Sequence, residues 1–450
     1  MPLRLFEILQ AAAFLKFSLH SFFVWIARSP GAAPLHYLVQ LPFAFASPNS
    51  RILLRLPSIV FALASAFSFF VLTTRVPLQQ PILALLLFLV VPIHLAYATQ
   101  ARPYELGLFL LLLATLSFFS LLKQPGVNKA LIYAILLTAC LYTQPSCYLP
   151  AVGYLLFLLA MKTYRHALGY VLSATLLPLA AYFPYYLWAV APRRPDWLTE
   201  QFPAYAVKSV GLQALMSIDP AGNPWFGIGL IGLLLTGLVG GAWSAMPSAS
   251  RRKRAPSPPA PLVKRRAVVF CLAGGVIVTL AGETAVSGWT DLAFAPYQIL
   301  WALPGLVIVF CAALDAFVRL PPMRNLSAVS PVLVVLTILL CIPGDVEYLR
   351  TEPNDMAKLT ALVRPQLSGD ACIVFVSQPL SRYLFEVFDP ALDKYECQNF
   401  FHKRVVLAIQ PFVKPEQERE AYIFFVGLDF EETHRDLLGG GKIITMDAQR

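Results

Sequence analysis

Ten apolar runs, most of them close to the length of a membrane-spanning helix, constrain this chain more than any other feature. A spanning helix needs about 20 mostly apolar residues. Only 13% of the residues are charged and 58% are apolar, which excludes a soluble globular, disordered or collagen-like chain. The sequence therefore predicts a polytopic α-helical membrane protein. The predicted spans lie near residues 52–73, 80–98, 104–122, 130–145, 147–161, 167–190, 225–246, 267–287, 298–318 and 329–343.

The distribution of basic residues orients these spans. Alternate loops fall into two groups, one with 14 Lys and Arg residues and the other with four. The basic group comprises residues 74–79, 123–129, 162–166, 247–266 and 319–328. Cytoplasmic loops carry the excess of positive charge, so the sequence places residues 1–50, the loop 191–224 and the tail outside. The net charge of +10 is explained by loops beside anionic lipid, and no nucleic-acid partner is predicted.

The N-terminal segment allows two interpretations. Residues 5–27 are apolar but include Glu7, Lys16 and His20, which favours an amphipathic helix on the membrane surface. Because this places the N-terminus outside, it suggests that a further helix precedes the segment. The alternative is an imperfect span over residues 8–27, giving eleven helices and an N-terminus inside.

The tail after residue 343 has a different pattern. Short β-type runs alternate with helical ones, which predicts a small α/β domain. The predicted strands are Cys372–Ser377, Arg404–Ile409, Tyr422–Val426 and Lys442–Thr445, and the predicted helices are Asp355–Leu367, Leu380–Val387 and Glu431–Leu438. We therefore divide the chain into an outer segment (1–50), a transmembrane core (51–343) and an extracytoplasmic α/β domain (344–450).

Several chemistries are disfavoured by the motifs that the sequence lacks. It contains no Walker loop, no HExxH and no GxSxG, which argues against an NTP-driven pump, a zinc protease and a serine hydrolase. The seven cysteines lack metal-ligand spacing, and the outer loops lack Asp-x-Asp. We predict no metal and no cofactor. Cys372 and Cys397 of the tail could pair in an oxidising compartment, although the sequence does not show whether they are close.

Charged residues predicted to lie at the outer membrane surface are the candidates for function, because ionisable groups near hydrocarbon are costly. They are Glu7, Arg51, Arg55, Arg102, Arg193, Arg194 and Lys208. Arginine binds phosphate oxygens through paired N–H groups, and a lipid phosphate would lie at the same depth. The alternative is that these arginines only anchor the chain at the headgroups.

Six short motifs and the tail, in order along the chain, resemble one family of membrane enzymes. They are Phe6-Glu-Ile8, Pro34-Leu-His-Tyr-Leu38, Arg55-Leu-Pro-Ser58, Gln100-Ala-Arg-Pro-Tyr104, Leu141-Tyr-Thr-Gln144, Gln298-Ile-Leu-Trp-Ala-Leu-Pro304 and the outer α/β tail. In this order they resemble bacterial GT-C glycosyltransferases of the dolichyl-phosphate-mannose protein mannosyltransferase and aminoarabinose transferase type. The resemblance covers nearly the whole chain.

Four positions depart from the family pattern. The family's acidic pair is Phe6-Glu7 here, so only the second acid is present. Gln100 replaces a Glu, Gln144 replaces a His, and Tyr297 stands where an Arg is common. These losses leave open a changed substrate or a catalytically inactive relative.

The resemblance implies transfer of a sugar from a polyprenyl phosphate to a lipid, polysaccharide or protein acceptor outside the bacterial inner membrane. It makes Glu7 the catalytic base. Glu105, at the start of a predicted span, is either an alternative base or the partner of Arg102 in an ion pair. Arg102 would hold the lipid phosphate, assisted by Arg55 and by Arg193, Arg194 or Lys208, while Tyr97, Gln100, Tyr104 and Glu105 would contact the sugar or prenyl chain. The alternatives are an inactive GT-C relative and a lipid-sugar transporter or flippase.

Overall fold

The computed structural model describes most of the predicted core and much of the tail. It describes residues 34–46, 50–76, 78–187, 265–290, 300–318, 329–350, 356–367, 370–376, 390–397, 403–409, 415–426, 428, 430–438 and 441–448. Within these residues the chain divides into two compact units. One contains residues 39–56 and the described part of 349–450, and the other contains residues 34–38 and the described part of 57–348.

The described apolar runs form helices, as the sequence predicts. Helix α1 (Pro34–Ala46) lies in the segment before the predicted core and was not among the predicted runs. The helices of the predicted core are α2 (Arg51–Thr73), α3 (Pro81–Val90), α4 (Pro92–Ala98), α5 (Tyr104–Lys123), α6 (Val127–Thr143), α7 (Leu149–Ala160), α8 (Leu168–Tyr185), α9 (Arg265–Thr290), α10 (Leu303–Val318) and α11 (Val329–Arg350). Within the described residues, three segments are long and apolar enough to cross a membrane: Ile52–Thr73, Tyr104–Lys123 and Tyr164–Tyr185. They support a membrane protein. Shorter apolar helices occupy six further predicted runs, and the run 225–246 lies outside the described residues.

The predicted span 80–98 is wrong as a single helix, because the chain breaks it at Val91. This residue is extended, with φ −61° and ψ 122°, and it separates α3 from α4. Pro92 follows it, and a proline disfavours the helical conformation for the residue before it and lacks an N–H for the helix. The run is therefore two short helices, and the break turns His94 into a residue of the first turn of α4.

Helices α7 and α9, in the unit that contains the described part of residues 57–348, approach each other closely through glycines. A Cβ atom added at Gly153 of α7 would lie 2.6 Å from both the Gly274 carbonyl oxygen and the Gly275 Cα of α9. Small residues at such contacts let two membrane helices bring their backbones together.

We expect Gly153→Ala to destabilise the helix bundle, because the backbone of α9 would have to move away. Overpacking of this kind costs about 1–3 kcal/mol, and the measurement is the melting temperature of the detergent-purified chain. Gly169→Ala in α8 is the matched control, because its Cβ would meet no atom within 4 Å. A Gly153→Ala variant as stable as the control would contradict the close packing.

The tail contains a four-stranded mixed sheet in the order β1-β2-β4-β3. The strands are β1 (Ala371–Phe375), β2 (Arg404–Ile409), β3 (Phe430–Leu438) and β4 (Gly441–Ala448), with helices α12 (Met356–Val363) and α13 (Pro415–Val426). Strands β1 and β2 are parallel, and the other two pairings are antiparallel. Arg404 and Asp447 face each other in the β2–β4 register and form two hydrogen bonds, of 2.6 and 3.0 Å. This guanidinium lowers the pKa of Asp447.

The α/β prediction for the tail is confirmed in outline, with two elements exchanged. Tyr422–Val426, predicted as a strand, is the end of helix α13. Glu431–Leu438, predicted as a helix, lies in β3. The β3–β4 hairpin closes between Leu438 and Gly441, so the Gly-Gly pair between them was the missed signal, since such two-residue loops favour hairpins. Leu380–Val387 lies outside the described residues.

A disulfide joins Cys372 of β1 to Cys397, with their Cα atoms 5.0 Å apart. Next to it, the Cys397 amide donates to the Ile373 carbonyl at 3.0 Å. The pairing that the sequence left open is therefore present in the structure. The other five cysteines are buried thiols, at Cys140, Cys147, Cys271, Cys311 and Cys341.

We expect Cys372→Ser/Cys397→Ser to loosen the tail. A disulfide that closes a loop of this length stabilises by about 3 kcal/mol, mainly by restricting the unfolded chain. The measurement is amide hydrogen exchange in strands β1 and β2 of the full chain, with exchange in helix α5 as the internal control. Unchanged exchange in both strands would show that the sheet does not depend on the bond.

Candidate functional site

The candidate site is built on the short turn between helices α4 and α5. Residues 99–103 connect the two helices, and Pro103 leads directly into the first turn of α5. The Arg102 amide donates to the Gln100 carbonyl at 2.9 Å. Ala101 is fully buried and Gln100 nearly so, whereas Arg102 is half-buried. The turn therefore has a fixed backbone and one partly exposed cation.

A second motif of the sequence meets this turn. The Ser58 hydroxyl of α2 donates to the Arg102 carbonyl oxygen at 3.4 Å. Ser58 is the last residue of Arg55-Leu-Pro-Ser58, and Arg102 is the centre of Gln100-Ala-Arg-Pro-Tyr104. Ser58 and Arg102 are 44 residues apart along the chain. Arg55, the first residue of the Arg55–Ser58 motif, belongs to the unit that contains residues 39–56. It is buried, with 8% of its surface exposed.

Trp301, a residue of the Gln298–Pro304 motif, lies beside two other motifs. Its indole N–H donates to the Ser146 hydroxyl at 2.8 Å, two residues beyond the Leu141-Tyr-Thr-Gln144 motif. A Cβ atom added at Gly107 would lie 2.9 Å from the Trp301 ring, so the ring packs where Gly107 has no side chain. The Arg55–Ser58 and Gln100–Tyr104 motifs are thus joined by a direct hydrogen bond, and Trp301 contacts residues that follow the Gln100–Tyr104 and Leu141–Gln144 motifs.

The aromatic and amide candidates also lie around this turn. The rings of Tyr97 and Tyr104 are 4.6 Å apart in an edge-to-face arrangement. Tyr104 and Gln100 are buried and Tyr97 is half-buried. Gln144, which stands where the family has His, is buried as well. The contact between Tyr97 and Tyr104 joins the end of α4 to the start of α5.

Glu105 is more completely buried than its position at the start of a predicted span suggested. Its side chain is 0% exposed, and its Oε2 atom lies 3.6 Å from Nε2 of His94, which is 3% exposed. Among the described residues, neither carboxylate oxygen has a hydrogen-bond partner. The sequence left open an ion pair between Glu105 and Arg102, but the ionisable group that Glu105 faces is His94. Arg102 is therefore not neutralised by Glu105.

Asp315 provides a contrast, because it is buried but fully paired. Its two carboxylate oxygens accept from the Gln79 amide at 2.6 Å and from the Ser330 hydroxyl at 2.7 Å. It fastens the end of α10 to the loop before α3 and to the start of α11. An acid of this kind has a structural role and is not part of the candidate site.

The remaining predicted residues are not placed by the structure. Glu7, Arg193, Arg194 and Lys208 lie outside the described residues, and of Arg51 only the backbone is described. Within the described ranges, no three His, Cys, Asp or Glu side chains are grouped so that they could hold a metal ion. The expectation of no metal and no cofactor stays a prediction.

Sequence reasoning missed His94, because the six histidines show no common pattern. A signal was available, since an ionisable residue inside a predicted span is a functional candidate by default. Trp301 belonged to a motif, but its contacts with Ser146 and Gly107 could not be inferred, since they join residues more than 150 positions apart.

Among solved structures, this chain is similar to ArnT from Cupriavidus metallidurans bound to undecaprenyl phosphate, with 13% sequence identity and a TM-score of 0.37. The match covers 93% of this chain and 88% of ArnT. At this identity and TM-score the two chains are not shown to share a fold. No protein-family model matches the sequence, and no curated protein matches it.

Proposed function

We propose that this chain is a membrane glycosyltransferase that moves a sugar from a polyprenyl-phosphate donor to an acceptor on the outer face of the membrane. The observation that carries the proposal is that a hydrogen bond joins two of the motifs and that Trp301, from a third motif, packs beside residues that follow two others. Ser58 contacts the backbone of Arg102, and Trp301 connects Gly107 with Ser146. A set of motifs related only by chance would have no reason to meet in this way.

The chemistry requires charge stabilisation for the departing lipid phosphate. Arg102 is suited to this, since its side chain is half-buried on a fixed turn and a guanidinium binds phosphate oxygens in pairs. Preorganised donors aimed at developing charge are often the largest single contribution to catalysis. We assign the phosphate of the donor to Arg102, with Arg55 and a basic residue of the 191–224 loop assisting.

The acceptor must also lose a proton when its hydroxyl or amine attacks the anomeric carbon. We assign the role of general base to Glu7, the acid that corresponds to the family's acidic pair. Glu105 is a weaker candidate because its carboxylate is completely buried. An acceptor could not come within hydrogen-bond distance of it in this conformation.

The outer location of the tail is part of the proposal. Its disulfide supports this assignment, because such bonds persist in oxidising compartments and are rare in the cytosol. The outer location of the tail also agrees with the excess of basic residues in the loops that are predicted to be cytoplasmic. On this assignment the tail lies outside the cytoplasm.

The test is to follow a radiolabelled polyprenyl-phosphate sugar in vesicles that contain the purified chain and a cell-envelope extract as the source of acceptor. An enzyme would release the free polyprenyl phosphate and pass the label to the acceptor. A flippase would leave the donor intact and only change its leaflet. An inactive relative would do neither, and either of these results would overturn the proposal.

A further inference from the structure

The buried pair formed by His94 and Glu105 connects the two helices on either side of the Arg102 turn. His94 lies in the first turn of α4, and Glu105 is the second residue of α5. Their nearest polar atoms are 3.6 Å apart. The His94 ring also contacts Phe88, with centroids 4.5 Å apart, and hydrogen-bonds to the backbone of Leu89.

Stability alone does not explain this pair. Taking an acid and an imidazole out of water is costly, and apolar residues of similar volume often replace a buried polar pair without loss of stability. Asp315 offsets such a cost with two hydrogen bonds, whereas the carboxylate of Glu105 has none from the described residues. The pair therefore calls for a role other than holding the bundle together.

Direct participation in the reaction is excluded by burial. His94 is 3% exposed and Glu105 is 0% exposed, so neither side chain can touch a substrate in this conformation. The turn that they flank does carry a partly exposed group, Arg102. Because only five residues separate α4 from α5, the relative position of the two helices determines the path of that turn.

We propose that His94 and Glu105 form a positioning pair that fixes the angle between α4 and α5 and so directs Arg102 towards the lipid phosphate. The inference rests on the proposed function, since it takes the phosphate as the ligand of Arg102. The pair acts together with the Ser58 hydrogen bond to the Arg102 backbone and the contact between Tyr97 and Tyr104. These three contacts all lie at residues in or next to the turn.

The test compares three variants of the full chain, purified in detergent, with a long-chain polyprenyl phosphate as the probe. His94→Leu/Glu105→Leu removes the polar pair but keeps an apolar core. Glu105→Gln keeps the shape and a hydrogen-bonding group. Thr115→Val/Tyr154→Phe is the matched control, because it removes another buried polar contact, of 3.1 Å, away from the turn. Affinity and melting temperature are measured for each.

We expect His94→Leu/Glu105→Leu to keep the melting temperature of the wild-type chain but to bind polyprenyl phosphate at least about tenfold more weakly, because a small misplacement of a binding group is costly. Glu105→Gln should retain affinity within about threefold. The control should bind as the wild type does. Unchanged affinity in the leucine variant, or a loss of affinity matched by a loss of stability, would overturn the inference.

A second measurement separates this inference from the proposed function. If the wild-type chain does not bind polyprenyl phosphate, the proposed function fails. Amide hydrogen exchange in residues 99–103 then tests the pair by itself. Faster exchange in the leucine variant than in the Thr115 and Tyr154 control is the expected result, and equal exchange would refute the positioning role.

Discussion

Replacing Arg102 by alanine is expected to lower the rate of sugar transfer by about 10²- to 10³-fold, the usual cost of removing one preorganised donor from a developing negative charge. The backbone contact between Arg102 and Ser58 does not involve the side chain that is removed. The turn should therefore persist, and the loss should appear mainly as weaker use of the lipid donor. Donor consumption in vesicles is the measurement.

Two further variants make this result specific. Arg102→Lys keeps the charge but loses the planar pair of donors, so we expect it to retain part of the activity. Arg165→Ala removes an exposed arginine from a loop predicted to be cytoplasmic and should leave transfer unchanged. If Arg102→Ala instead removes the protein from the membrane, Arg102 is an anchor and its assignment to the phosphate is wrong.

Replacing Glu7 by glutamine is expected to reduce transfer by at least about 10²-fold while leaving the amount of protein in the membrane unchanged. Glutamine has nearly the same shape but cannot take the proton of the acceptor, and a positioned general base contributes about 10²- to 10⁴-fold. The measurement is transfer per unit of membrane-inserted protein. Binding of the lipid donor serves as the control, since it should not change.

Normal transfer in Glu7→Gln would refute the assignment of the base. Transfer would then have to rely on another acid near the outer surface. Glu105 would be an unsuitable substitute unless helix α4 moved, because its carboxylate faces His94 in the interior.

The helices could be predicted because their apolar runs contain most of the information. Helix α2 begins one residue before its predicted run and ends where the run ends, and β2 has the predicted bounds. The break at Val91 was harder to predict, because prolines occur inside α2 and α8 without ending these helices. Tertiary contacts decide which proline interrupts a membrane helix, because neighbouring helices can satisfy the freed backbone groups.

Tertiary contacts also explain why one helix and one strand of the tail were predicted the wrong way round. Tyr422–Val426 is rich in β-forming residues, but it continues a helix that starts at Pro415, and its Phe425 is buried against Phe430. Strand β3 is polar enough to resemble a surface helix. Its pairing with β4 outweighs that preference, since strand propensity depends strongly on context.

Part of the candidate site could be predicted from the apolar runs. A short loop between two apolar runs predicted the Arg102 turn directly. The partner of Glu105 could not be predicted, because His94 faces it only as a consequence of the break before Pro92. Contacts between distant segments, such as Trp301 with Ser146, leave no periodic pattern in a single sequence.

The most direct test of the glycosyltransferase assignment is a mass-spectrometric comparison of cells with and without this protein. The polyprenyl-phosphate sugars and the surface glycans are measured together, with a Glu7→Gln strain alongside. We predict that one donor lipid accumulates in the deletion strain, that one surface glycan lacks a single sugar, and that the Glu7→Gln strain matches the deletion. No change in either pool would contradict the assignment and would favour a relative that has lost catalysis.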